Sequence, residues 1–168
     1  DVDKVTKDQT VVIRSHGVGL DVYEKLAKVG AEVIDATCPF VARIHKIAAE
    51  KSGEGYVILI AGDEAHPEIM GIRGHCSGES YVFSSCDDFE NLVKEKDFSS
   101  KKVAILAQTT YNKNMWRKCE ELFERYLPEA VVYNTICSAT SERQKEAAEL
   151  AKAADIMIIV GGLHLSLI

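Results

Sequence analysis

Apolar and polar residues follow two rhythms along this chain. Short, nearly continuous apolar runs are separated by longer stretches in which apolar positions recur at helical spacing. The runs "TVVIRSHG" (Thr10 to Gly17), "AEVIDAT", "YVILIAG", "YVFSS", "KVAILAQTT", "AVVYNT" and "DIMIIVGG" read as strands. "YVILIAG" is almost wholly apolar, which predicts a strand covered on both faces. "DVYEKLAKVG" predicts an amphipathic helix capped at Asp21 and closed by Gly30. "PFVARIHKIAAEKSGEG" predicts a helix with Pro39 in its first turn. A further helix should start near Pro67, and "CDDFENLVKEK" another, with Ser84 or Ser85 near its cap. "NKNMWRKCEELFERYL" and "SATSERQKEAAELAKAA" complete the helical set.

Strand and helix therefore alternate, which predicts α/β architecture with parallel sheets built from right-handed βαβ units. Such sheets bind ligands beyond the carboxyl ends of their strands. The residues at those ends are Ser15-His16-Gly17, Thr37-Cys38, Ala65-His66-Pro67-Glu68, Gln108-Thr109-Thr110, Thr135-Ile136-Cys137 and Gly161-Gly162. The set is polar, nearly free of Lys and Arg, and holds two cysteines.

Composition narrows the partners. The chain has 168 residues and a formal charge of −6, so a broad basic surface for nucleic acid is not expected. No apolar run is long enough for a membrane span, and no signal peptide is evident. Both ends look cut: residue 1 is Asp, and "IMIIVGGLHLSLI" stops after an apolar strand and a glycine turn. The five cysteines are odd in number and form no CxxC pair. A disulfide framework and a zinc ribbon are both poor fits, and a reducing cytoplasm is the default.

Two of the cysteines stand at similar corners. Cys38 and Cys137 each lie between a strand and a helix, and in each case a glycine ends the next apolar run 24 residues later, at Gly62 and Gly161. The two cysteines are 99 residues apart, about the length of one small α/β domain. A thiolate at a helix N-terminus is stabilised by the helix dipole and suits nucleophilic catalysis or metal ligation. Two thiolates from repeated units, with little histidine nearby, point to an iron–sulfur centre. Two cysteines would hold a cluster poorly, so the repeat predicts a third copy and a third cysteine upstream of residue 1.

The motifs "SHGV", "DATCPFV", "AHPE", "QTTY" and "TICSAT..RQ", in this order, resemble the LytB family of 4-hydroxy-3-methylbut-2-enyl diphosphate reductases. The resemblance runs from about Val11 to Gly162. It implies three similar α/β domains around a pseudo-threefold axis. Residues 1–37 would end the first, 38–133 form the second and 134–168 begin the third. It implies a 4Fe–4S cluster with one iron open to substrate, Cys38 and Cys137 as two of its ligands, and a third cysteine outside this chain. His16 and His66 match residues that bind diphosphate, Glu68 the acid that protonates the departing hydroxyl, and Thr109 a residue that orients substrate and proton path, with Thr110 in support. The implied reaction removes the hydroxyl of an allylic diphosphate reductively, yielding isopentenyl and dimethylallyl diphosphates with electrons from ferredoxin or flavodoxin. Helix N-termini, imidazoles and hydroxyls can hold a diphosphate without a basic patch. The sequence departs from the family at "GGLHLSLI", where a Ser-Ser-Asn element is expected. Leu165 and Leu167 cannot donate its hydrogen bonds, which leaves Ser166 as the candidate there.

Plainer readings cover the other residues. Cys119 lies mid-helix beside Trp116 and Phe123 and reads as core; Cys86 and Cys76 read as structural or incidental. His45 reads as surface or packing, and His75 as a loop residue without a partner. Glu68 could simply favour a helix's first turn. Two alternatives stand beside this reading: another three-domain iron–sulfur enzyme such as quinolinate synthase, which also uses one cysteine per domain but whose motifs match this chain poorly, and a non-enzymatic α/β phosphate-binding module with ordinary buried cysteines.

Overall fold

The computed structural model describes residues 1–158, with the side chains at 140, 141 and 144 left aside. After a short 3-10 turn at Val2–Lys4, strands and helices alternate along the described chain. β1 (Thr10–Ile13) and β2 (Glu32–Asp35) pair in parallel across α1 (Leu20–Val29), with Val11 opposite Val33 and Ile13 opposite Asp35. α2 (Pro39–Gly53) leads to a second, wholly parallel sheet ordered β4-β3-β5-β6. Its strands are β3 (Val57–Ala61), β4 (Ser80–Phe83), β5 (Val103–Ala107) and β6 (Val131–Tyr133). They are connected by α3 (Pro67–Arg73), α4 (Cys86–Glu95) and α5 (Lys113–Tyr126), and α6 (Ser138–Ala153) follows β6.

The two central strands explain the continuous apolar runs. Every residue of β3 and β5 is buried, because helices cover both faces of the sheet. Successive side chains of a strand point to opposite faces. Val57, Leu59 and Ala61 face one core with Phe89, Trp116 and Phe123 from α4 and α5. Ile58 and Ile60 face the other core with Ile44 from α2 and Ile69 and Ile72 from α3. The smaller sheet is half covered: Val12 and Ile34 are exposed. Among the described residues no helix is long and apolar enough to cross a membrane.

Several local expectations change. α1 starts at Leu20, with Gly19 rather than Asp21 at the cap and no side-chain capping bond. Ser85 caps α4, accepting from the Asp88 N–H. Cys119 is in the core as its surroundings predict, but it is also joined by a disulfide to Cys86, at the start of α4. The odd cysteine count hid this pair, because sequence spacing carries no information about two helix faces that meet only after folding. His75 is not partnerless: its ring stacks on His45 at 4.1 Å and its Nδ1–H donates to the Gly71 carbonyl. Residues 155–158 of the last predicted strand are not in a strand, and its remainder, Gly161, Gly162 and Ser166 lie outside the described residues.

Candidate functional site

Four loops meet the site at the carboxyl ends of their strands. The first follows β1. Gly17 sits in the left-handed region (φ +68°), its N–H donating to the Arg14 carbonyl, so the chain turns sharply after His16. The second follows β2. Asp35 accepts from the Thr37 N–H at 2.9 Å, from the Thr37 hydroxyl and from the Tyr23 hydroxyl at 2.7 Å, fixing the backbone that enters Cys38. The Asp-x-Thr spacing is the sequence signal for such a turn.

The third loop carries Ala65-His66-Pro67-Glu68. Pro67 occupies the first turn of α3, where its missing N–H costs nothing. His66 Nδ1 accepts from the Glu68 N–H at 3.2 Å. That bond assigns the ring proton of a neutral His66 to Nε2, which is left as a donor for an anionic oxygen. Glu68 is not an ordinary first-turn carboxylate. It is 1 % exposed, and both its oxygens are engaged: Oε1 accepts from the Thr109 N–H and Oε2 from the Thr109 hydroxyl, each at 2.7 Å.

The fourth loop is Gln108-Thr109-Thr110. Gln108 is buried; its Oε1 accepts from the Asp63 N–H at 3.1 Å and its Nε2 donates to the Thr110 hydroxyl at 2.9 Å. One amide thus ties the loop after β3 to the loop after β5. A Cβ at Gly62 would stand 2.5 Å from Ile69 Cδ1 and 2.8 Å from Gln108 Oε1, so the bridging amide lies directly against bare backbone there.

The structure brings together His16, His66, Glu68 and Thr109. The His16 and His66 rings lie edge to face with centroids 5.3 Å apart. Burial lowers the His16 pKa, and the neighbouring His66 and Arg14 lower it further, against an opposing pull from Glu68. Thr110 is exposed at the rim of the same loop.

The two cysteine corners share a backbone device. The Cys38 N–H donates to the Ser15 carbonyl at 3.0 Å, and the Cys137 N–H donates to the Thr109 carbonyl at 2.8 Å. Each cysteine also stands at the N-cap of the helix that follows, and both are free thiols. The corners differ in the sulfur, since Cys137 Sγ accepts from the Ala139 N–H at 3.3 Å whereas Cys38 makes no such capping bond. The third free thiol, Cys76, donates to the Ile72 carbonyl, and burial pushes its pKa up to about 11, which makes it a poor thiolate ligand. Among the described residues no three His, Cys, Asp or Glu side chains converge as a metal-binding group. The sizeable surface clefts lined by Lys101 and Val57 or Val103 lie at the amino ends of the strands, away from these loops.

Comparison with known proteins gives these loops a setting. Over 166 residues the chain is 40 % identical to a 4-hydroxy-3-methylbut-2-enyl diphosphate reductase of a Thermoanaerobacter species, covering 99 % of the chain and 56 % of that protein. A reductase of the same name from Clostridioides difficile is 38 % identical, with 58 % of its length covered. The fold superposes with a TM-score of 0.77 on a solved (E)-4-hydroxy-3-methyl-but-2-enyl diphosphate reductase, described as the terminal enzyme of the non-mevalonate pathway. That match is 36 % identical over 98 % of this chain and 58 % of the other. A Plasmodium falciparum reductase gives a TM-score of 0.81 at 25 % identity, over 99 % of this chain and 52 % of the other. The chain therefore spans a little over half the length of the relatives it matches. With residues 1–166 matching the LytB protein family, the chain belongs to that family.

Proposed function

We propose that this chain forms part of a 4-hydroxy-3-methylbut-2-enyl diphosphate reductase. The reaction consumes the allylic alcohol, two electrons and two protons, breaks the carbon–oxygen bond, and releases water with isopentenyl or dimethylallyl diphosphate. The observation that carries the reading is the Glu68–Thr109 pair, a fully buried carboxyl held at both oxygens beside two imidazoles at the carboxyl end of a parallel sheet.

In this reading His66 Nε2–H and His16 bind the diphosphate, with Thr110 at the rim and Ser166 as a further candidate. The His66 bond to the Glu68 N–H keeps the binding proton facing the ligand. Glu68 passes a proton to the departing hydroxyl, and Thr109 holds the carboxyl in one orientation so that no rotamer search precedes the transfer. The fully buried carboxyl is withdrawn from bulk water, which suits a group that must deliver its proton to substrate rather than exchange it freely.

Cys38 and Cys137 would hold a 4Fe–4S cluster, with the remaining thiolate supplied by the part of the relatives' length that this chain does not span. When bound, the cluster supplies the electrons and a Lewis-acidic iron for the hydroxyl. Ferredoxin or flavodoxin is the proposed electron donor. The two sheets are assigned to successive α/β domains around a pseudo-threefold axis, dividing at residues 37 and 133.

The test is anaerobic reconstitution of the full-length protein, with iron and sulfide counted and turnover followed on the allylic diphosphate. Cys38→Ser and Cys137→Ser should each lose iron, visible absorbance and turnover together. A colourless wild-type protein whose pyrophosphate affinity ignores iron would replace this reading with a phosphate-binding module. Turnover of a dicarboxylate instead would favour the quinolinate synthase kind of enzyme.

A further inference from the structure

His45 belongs to no step described above, yet among the described residues it is the histidine most deeply enclosed. It projects from α2 and is 5 % exposed. Three surfaces close on its ring. On one side is Gly17, the residue after His16: a Cβ built there would stand 2.4 Å from His45 Cε1. On another side is Gly71 of α3, the helix that His66 caps and that carries Glu68: a Cβ there would stand 3.1 Å from His45 Nε2 and 3.5 Å from the His16 carbonyl oxygen. The third is His75, stacked at 4.1 Å with an interplanar angle of 18° and itself bonded to the Gly71 carbonyl.

The ring is thus a spacer between the loop bearing His16 and the helix bearing His66. The two elements touch each other again at Gly19 and Gly74, where the Leu20 N–H donates to the Gly74 carbonyl at 3.2 Å and a Cβ on Gly74 would stand 2.5 Å from the Gly19 Cα. With that end pinned, the thickness of whatever fills the other end sets the angle between loop and helix. Gly17 and Gly71 present bare backbone to the ring, so on those two sides the imidazole meets main chain. Close-packed interiors transmit such displacements instead of absorbing them. Among the described residues the buried Nε2 of His45 has no hydrogen-bond partner.

We propose that His45 is a positioning residue for the diphosphate site, setting the separation of His16 from His66. The proposal rests on the assignment of His16 and His66 as diphosphate ligands. Because it acts through His16, its effect should fall on binding and vanish when His16 is absent.

The experiment uses the full-length, cluster-reconstituted protein, with inorganic pyrophosphate as the binding probe and steady-state kinetics on the allylic diphosphate. His45→Ala should weaken pyrophosphate about tenfold and raise KM by a similar factor with kcat little changed, as loss of uniform binding requires. In a His16→Ala background the same substitution should change affinity less than about twofold, which a double-mutant cycle reads directly. Equal effects in both backgrounds, or a fall in kcat without a rise in KM, would overturn the spacer role while leaving the diphosphate assignment in place. His16→Ala with unchanged pyrophosphate affinity would overturn the assignment itself, and the inference with it. Should His45→Ala fail to fold, Gly71→Ala presses on the same ring from the α3 side and enters the same cycle. It should show the same loss of affinity in the presence of His16 and none in its absence, and additivity there would also refute the proposal.

Discussion

Replacing Glu68 by glutamine separates the structural from the chemical share of the buried carboxyl. Glu68 receives two bonds from one residue, the Thr109 N–H and the Thr109 hydroxyl, each at 2.7 Å. Glutamine keeps the shape and keeps one oxygen, which can still accept from the N–H. Its NH2 then faces the Thr109 hydroxyl, and a hydroxyl can rotate to accept instead of donate. Both contacts survive, so Glu68→Gln should cost about 1 kcal/mol or less in denaturant unfolding, within the worth of one hydrogen bond. Thr109→Val is the complementary change. It preserves shape but leaves Glu68 Oε2 buried without a donor, which should cost about 1.5–3 kcal/mol. The order of activities should be the reverse. Glu68→Gln removes the proposed proton donor and should lower kcat by about 100-fold or more, whereas Thr109→Val leaves the acid in place and should lower it less. Urea titration and single-turnover kinetics on the same preparations give both columns. A Glu68→Gln enzyme within about threefold of wild-type kcat would refute the assignment of the acid, since proton donors contribute well above that. A Glu68→Gln protein less stable than Thr109→Val would refute the hydroxyl-rotation argument.

Three further outcomes follow from the packing. His45 titrates at about 4, chiefly because burial disfavours its charged form and His75 adds repulsion, against 6.5 when unfolded. The unfolded chain therefore takes up the proton first as pH falls. Stability from this group is complete above 6.5 and is lost down to about 4, by roughly 3 kcal/mol. The His45→Asn protein should lose that much less across the same window in pH-dependent urea titrations. Gly17→Ala combines a left-handed backbone (φ +68°) with a Cβ 2.4 Å from the His45 ring and should destabilise by about 2 kcal/mol or more in the same assay. Thiol counting under denaturing, non-reducing conditions should find Cys38, Cys76 and Cys137 reactive in this chain, with Cys86 and Cys119 appearing only after reduction. Opening that bridge, which spans 33 residues, should cost about 4 kcal/mol.

The α/β alternation was legible because β3 and β5 are covered on both faces and so read as unbroken apolar runs. The carboxyl-end loops were legible for a related reason: parallel strands force them to one edge, whatever the register. What the pattern could not supply was side-chain pairing across loops far apart in sequence. Nothing in "AHPE" indicates that Glu68 accepts from Thr109, 41 residues on, and nothing in "QTTY" indicates that Gln108 bridges to Asp63. His45 shows the limit most clearly. Flanked by Arg43 and Lys46 on neighbouring positions, it reads as near-surface, yet α2 turns it inward between two glycines whose lack of side chains is the only sequence trace of the contact. The Cys86–Cys119 bridge was illegible for the same reason, because it joins the faces of two helices.

The cysteine repeat is more informative in its backbone than in its sulfurs. Cys38 N–H holds the Ser15 carbonyl, one residue before His16; Cys137 N–H holds the carbonyl of Thr109, the residue that grips Glu68. Each cysteine corner is therefore bonded to a loop that carries one of the proposed substrate-facing groups. The two tethers are main-chain bonds, so a cysteine-to-serine exchange leaves them intact and should remove iron without moving His16 or Thr109. A change that disturbs the backbone at the corner should do both. Pro39 makes the Cys38 corner the stiffer one, since its ring fixes the first turn of α2 directly after the thiol. On the proposed assignments, one piece of backbone at each corner would set both the thiolate and the substrate-facing group. The repeated corner thus needs only backbone geometry in common, which is why the two sequences "ATCPF" and "TICSA" agree in little beyond the cysteine.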